Sequence, residues 1–315
     1  RENAVGLYLD IYRSHAATLN AGEKSAAETL LRGELPHLAQ GAVRTALLIW
    51  LGELYEASAE GAMTAATLAR ADSARMMWAQ AISGSGTVEQ SGRAMLLLAR
   101  SLENAGFAGA MDSAAHLYGT LTGRWPQSRW AALAGLRIAR MHLSQERYSV
   151  AYATARNWVS HNTYASDTPE CRAVLAEAAY HTGRYGLAAA LFGRMEQDSL
   201  ERNGRMRFEC YRIRALAGIG EYAAANSLLV RYLSRCSAPE ERQAGFAAAV
   251  DLFLEAGNSR QAMQYLAQLP EQSEFHALAR VRWLVWSLEQ GADAGKTRKE
   301  LERYRKSAWN ERSEE

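Results

Sequence analysis

Four short stretches of this chain repeat one another at a constant step. ERYSVA, GRYGLA, GEYAAA and GNSRQA begin at residues 146, 183, 220 and 257, each 37 residues after the last. The shared positions are a turn residue (Glu146, Gly183, Gly220, Gly257), an aromatic two places on (Tyr148, Tyr185, Tyr222) and an alanine three beyond that (Ala151, Ala188, Ala225, Ala262). Only the last copy lacks the aromatic, with Ser259 in its place. A fixed period between about 20 and 50 residues marks a stacked-repeat architecture, because so short a unit cannot bury its own apolar face.

One unit shows how the period becomes structure. In Glu170 to Met195, Leu175, Ala176 and Ala179 form the apolar stripe of a first amphipathic helix. Gly183 follows, able to enter the left-handed conformation that ends a helix without steric cost. Tyr185, Ala188, Leu191 and Phe192 then form the stripe of a second helix. So short a turn folds the pair antiparallel, and Ala176 and Ala188 allow close approach of their backbones.

With each turn residue taken as a common zero, the positions four, seven, eight and eleven before it should be buried. At Gly106 these are Leu102, Ala99, Leu98 and Met95, and at Gly257 they are Phe253, Val250, Ala249 and Phe246. The unit ending at Gly220 departs from the rule, placing Glu209 and Arg212 where apolar residues belong. Upstream, Leu48, Leu51, Gly52 and Tyr55 keep the register ahead of a long second helix through Trp78, and NAGEKSAAETLL at 20–31 reads as another turn and helix.

The small residue at Ala176, the glycine at 183, the aromatic at 185 and the alanine at 188 resemble the tetratricopeptide repeat (TPR) family. The likeness is close over roughly residues 90–270 and loose before that; the period of 37 rather than 34, and Ser259, depart from the family pattern. It implies an all-α fold: a right-handed superhelical solenoid of about seven helical hairpins with C-terminal capping helices. RWPQSRWAALAGLRIARMHLSQERYSVA further resembles TPR proteins of the bacterial envelope, of the outer-membrane-assembly and Tol-Pal-associated lipoprotein types. Its Ser128 is also an ordinary helix N-cap.

The organisation expected is then irregular N-terminal hairpins over 1–82, a Gly/Ser-rich loop and hinge at 83–92, TPR-like repeats over 93–270, and capping helices with a charged tail over 271–315. In the last segment Ser273 should cap a helix that buries Trp283 and Trp286, and Trp309 in the tail stands out as a docking anchor.

The search for chemistry returns little. Hydrophobic content is 48% with five prolines, which suits a helix-rich folded chain, and the net charge of +2 gives no bulk pull toward nucleic acid. Cys171, Cys210 and Cys236 form no C-x-x-C, the seven histidines form no H-x-x-H, and no phosphate-cradle or nucleophile-elbow motif occurs. Superhelical lytic transglycosylases carry a comparable helical-hairpin domain with a catalytic Glu-Ser, and no Glu-Ser dipeptide occurs here. No catalytic residue, metal or cofactor is expected. The first residue is Arg1, which leads to the expectation that an upstream segment, such as a membrane tether, has been removed.

The informative polar feature is a column six residues before each turn: Glu53, Arg100, Arg140, Glu177, Arg214 and Asp251. The TPR resemblance puts this column on a concave face that receives ligands. One reading is partner contact, with Arg100 the best anion contact, Arg93 and Arg207 extending a basic strip, and Tyr180 and His181 beside it. The other is a ladder of ion pairs between neighbouring repeats, suggested by the alternating signs from Arg140 onward. The chain therefore reads as a non-catalytic scaffold for other proteins or peptides, in the periplasm or at the inner face of the outer membrane. The alternatives are the helical domain of a larger envelope enzyme and the TPR sensor of a cytoplasmic regulator.

Overall fold

A computed structural model describes residues 2–15, 21–59, 64–84, 86–162, 164, 168–195 and 202–302; Trp309 lies outside them. Apart from turns and short connections the described residues are helical, with no strand among them. In chain order the helices are α1 (Glu2–His15), α2 (Ala21–Glu34), α3 (Ala42–Ser58), α4 (Ala65–Ser83), α5 (Val88–Glu103), α6 (Ala110–Arg124), α7 (Arg129–Ser144) and α8 (Tyr148–His161). They continue as α9 (Pro169–His181), α10 (Tyr185–Met195), α11 (Arg202–Gly218), α12 (Tyr222–Arg235), α13 (Pro239–Glu255), α14 (Ser259–Leu266) and α15 (Glu274–Glu289), and 294–302 is helical again. They form successive pairs from α1/α2 to α13/α14, the all-α hairpin array that the period requires. The chain divides into two compact units, residues 1–145 with 154–167, and residues 146–153 with 168–315.

The turn positions behave alike. Gly183, Gly220 and Gly257 take φ of 74°, 81° and 72°, and Glu146 shares that left-handed conformation at 59° without being glycine. Behind each glycine the chain closes the same six-residue loop: Arg184 N–H to Ala179 C=O at 2.8 Å, Glu221 to Leu216 at 2.9 Å and Asn258 to Phe253 at 2.7 Å. These bonds satisfy carbonyls that the helix end would otherwise leave open. Gly106 (68°) and Gly291 (86°) mark two further turns, 40 residues before Glu146 and 34 after Gly257, so the strict step of 37 belongs to the central copies.

Burial follows the same register. Ala151, Ala188, Ala225 and Ala262 are fully buried, as are Ala99, Ala139, Ala176, Ile213 and Val250 seven places before their turns. The three tyrosines meet equivalent neighbours, each 33 residues on: Tyr148 stacks on His181, Tyr185 lies over Gly218, and the Tyr222 hydroxyl donates to the Glu255 carbonyl at 2.8 Å. They are half-buried wedges rather than core residues, and Tyr222 stays 39% exposed.

In the first unit tryptophans seat on helix glycines, two within a helix pair and one between successive first helices. A Cβ at Gly135 would stand 2.5 Å from the Trp158 ring, and one at Gly92 2.6 Å from Trp130; Gly52 likewise receives Trp78, whose indole N–H donates to Ile49 C=O at 3.2 Å. Only glycine leaves room for these rings between packed helices.

Two expectations need correction. The stretch 83–92 is not a ten-residue loop. α4 runs to Ser83 and α5 starts at Val88, because Thr87 and Gln90 cap each other's backbone N–H at 3.2 and 3.0 Å. α4 and α5 both lie in the first unit and pack on each other, so this connection is not the boundary between units. Glu209, out of place in an apolar register, is only 4% exposed and is held by Arg235 of α12, while Arg212 lies against Gly193 of α10. An internal ion pair thus fills a position given elsewhere to carbon.

Candidate partner-binding face

In the second unit the first helices α9, α11 and α13 place Glu177, Arg214 and Asp251 at equivalent positions 37 residues apart. Arg214 Nε lies 2.6 Å from Asp251 Oδ2, and Asp251 Oδ1 is 3.7 Å from Arg282 Nε of α15. Arg282 also pairs with Glu255, one turn beyond Asp251. Glu177 is held at 3.2 Å by Arg207, which sits seven residues before Arg214 on α11. Burial works against the charge of Arg214, but the Asp251 carboxylate outweighs it and holds the guanidinium more firmly protonated than usual.

Beside these charges lies an aromatic cluster. His181 stacks on Tyr148, with ring centres 4.3 Å apart and planes 10° from parallel, and meets Tyr180 and Tyr211 edge-on at 5.2 and 6.0 Å. Tyr180 in turn touches Tyr185 and Tyr211, and Tyr211 stacks on the buried Phe192 at 5.6 Å. The Arg207 guanidinium rests 5.7 Å from the Tyr211 ring centre, close enough for a cation–π contact. Desolvation, then the charges of Arg214 and Arg207, lowers the His181 pKa, with Glu146 opposing. Burial raises the Tyr180 pKa, and Asp251 adds to it, so its hydroxyl stays protonated and can donate.

This cluster is accessible. His181 is exposed and the Arg207 side chain is 61% exposed. What the second unit presents is an imidazole stacked on a phenol, a donor guanidinium and a carboxylate–arginine chain. Among the described residues no cluster of three or more His, Cys, Asp or Glu has the arrangement of a metal site, and no helix is long and apolar enough to cross a membrane.

The first unit offers a simpler surface. Glu53 pairs with Arg93, and Glu103 with Arg137 at 3.6 Å while accepting the Tyr118 hydroxyl at 2.7 Å. Arg100 and Arg140 are exposed, and neither has an ion-pair partner among the described residues. They occupy equivalent positions on α5 and α7, which pack against each other.

The column expected from the sequence therefore divides. Glu177, Arg214 and Asp251 are tied into ion pairs, as a ladder would have them, though Glu177 takes its cation from a position one heptad away. Arg93 and Arg207, expected to extend an open basic strip, are instead the cations that neutralise Glu53 and Glu177. Tyr180 and His181 do sit together, joined by Tyr211 and Tyr148, while Arg282 of α15 closes the charged chain on Asp251; sequence reasoning placed none of these three there. Tyr148 was legible as a repeated aromatic, though its seat on His181 was not; Arg282 was not legible, because α15 lies outside the aligned repeats.

No protein-family model matches the chain, and no curated protein matches its sequence. Among solved structures, the chain is similar to a tetratricopeptide repeat protein from Parabacteroides merdae, with 13% identity, a TM-score of 0.50, and coverage of 88% of this chain and 99% of that one. At that identity the likeness concerns the fold: a TPR-like array of helical hairpins.

Proposed function

We propose that this protein is a non-catalytic interaction scaffold that holds a partner protein or peptide against the face formed by its first helices, the concave face in a repeat of this kind. The observation that carries the reading is the accessible His181–Tyr148–Tyr211–Arg207 cluster on α8, α9 and α11. Aromatic and arginine side chains held rigid by neighbours are the residues that dominate protein interfaces. In the first unit, Arg100 and Arg140 supply unpaired cations for a partner's carboxylates. Binding would need no rearrangement, because the ion pairs and ring contacts already fix the rotamers.

We place the scaffold in the bacterial envelope, in the periplasm or tethered to the inner face of the outer membrane, on the resemblance of RWPQSRW and the helix pair that follows. Fractionation of cells expressing the complete reading frame tests this, and recovery in the cytoplasm overturns it. The interaction itself is tested by quantitative affinity capture from the native cell. Wild type is compared with Arg207→Glu/His181→Ala and with Arg194→Glu on α10 as a control. The proposal expects a partner that disappears with the double variant and persists with the control. Identical partner sets for all three proteins overturn it.

A further inference from the structure

The last seam of the repeat array is open, and the repeat itself shows what is missing. Along the α10/α11 seam, Tyr185 lies over Gly218 and Gly193 meets Arg212, so second helix and next first helix close on each other. Tyr148 and Tyr222 make the corresponding reach onto His181 and Glu255. At the fourth copy the wedge is Ser259, and α14 is only eight residues long. Between α14 and α15 there is accordingly a cleft of about 570 Å³, walled by Ser259, Arg260, Met263 and Ala267 on one side and Trp283 and Trp286 on the other.

Two features give the cleft a preference. Its walls are largely carbon, with Met263 38% exposed and two half-buried indoles facing it across the gap. Arg260 at its rim is exposed, with no ion pair among the described residues. The volume lies within the roughly 300–1,000 Å³ range of ligand pockets.

From this we infer that the α14/α15 cleft docks a partner's peptide segment that brings one aromatic side chain with a carboxylate beside it. The ring lies between Met263 and the two indoles, in the seam where α14 carries serine instead of a tyrosine wedge. The carboxylate meets Arg260. This surface is separate from the first-helix face, so the two readings stand or fall apart.

The test uses the full chain and a fluorescein-labelled Gly/Ser dodecapeptide with a central Glu-Trp-Glu triplet, read by fluorescence anisotropy. Saturable binding is expected, weakened at least tenfold when the probe's tryptophan is replaced by alanine or its glutamates by lysine. Ser259→Tyr, which restores the wedge, should weaken binding at least tenfold without lowering the melting temperature. Met263→Glu on the exposed wall should do the same, and Arg260→Glu should shift preference to the lysine probe. Arg207→Glu/His181→Ala should bind the probe as wild type does. Equal affinity for the tryptophan and alanine probes, no binding of either, or undiminished binding by a folded Ser259→Tyr overturns the proposal. So does concentration-dependent dimerisation that Met263→Glu abolishes and the probe does not displace, since a second copy would then fill the cleft.

Discussion

Replacing Gly218 by alanine should have opposite effects in two backgrounds. Gly218 is the last residue of α11, and a Cβ there would stand 2.5 Å from Tyr185 Cδ2 and 2.9 Å from Cε2 and Cγ. Real side chains do not approach so closely, so the ring must leave its seat. Overpacking of this kind costs about 1–3 kcal/mol. Against it stands the helical preference for alanine over glycine, at most about 1 kcal/mol. The clash wins, and Gly218→Ala should destabilise the native protein by about 1–2 kcal/mol. In a Tyr185→Ala background the obstacle is gone, and the same substitution should be neutral or stabilising by up to about 1 kcal/mol. The coupling between the two sites then comes to about 2 kcal/mol, within the range for residues in direct contact. Tyr185→Ala alone should cost about 2 kcal/mol, roughly half the loss for a fully buried aromatic, because the ring is half-buried. Urea titrations of the four proteins, followed by far-UV circular dichroism, supply the cycle. Equal effects of Gly218→Ala in both backgrounds, or a gain in the wild-type background, refute the wedge.

Three other perturbations probe separate parts of the account. Arg235→Ala strips the partner from Glu209, which is 4% exposed, and should cost about 1–3 kcal/mol, whereas Glu209→Met with Arg235→Ala should recover most of the loss in the same urea assay. Glu146→Gly relieves a left-handed residue at φ 59° and should stabilise the second unit by about 1 kcal/mol; a loss of stability would count against the turn assignment. The folded-state pKa of His181 lies below its ordinary 6.5, so the unfolded chain takes up the proton first as pH falls. Its contribution is complete above about pH 6.5 and is lost on acidification through the lowered pKa, and His181→Gln should flatten that part of the melting-temperature profile. An NMR titration that places His181 above 6.5 would reverse the sign.

The repeat was legible because it is written in residue types with few substitutes. Left-handed turns want glycine, and seams between closely packed helices want alanine, so Gly183, Gly220 and Ala188 carry their positions openly. The aromatic wedge was legible at Tyr148, Tyr185 and Tyr222, but its receptor was not. The receptor is a different residue in each copy (His181, Gly218, Glu255), and only three-dimensional proximity shows that these are one position. The tryptophan seats at Gly52, Gly92 and Gly135 were hidden for a related reason, since a glycine inside a helix reads as a weak point until the ring above it is seen. The charged column was found by spacing, yet its pairing was not: Glu177 and Glu53 take arginines seven residues off the column, a distance of two helical turns that brings Arg207 and Arg93 onto the same face. The loop at 83–92 was overread from its glycines and serines, because Thr87 and Gln90 form a cap box whose third position is glutamine rather than the more familiar glutamate.

The claim beneath all of this is that each helix pair is stable only on its neighbours. A synthetic peptide of residues 168–195, which holds α9 and α10 with the Thr168 cap and the Gly183 turn, tests it alone. Its stripes of Leu175, Ala176, Ala188 and Phe192 would face water, and helices of 13 and 11 residues are marginal in isolation. Far-UV circular dichroism should show a largely unordered chain with no cooperative melt. A folded hairpin with a sharp thermal transition would contradict the account.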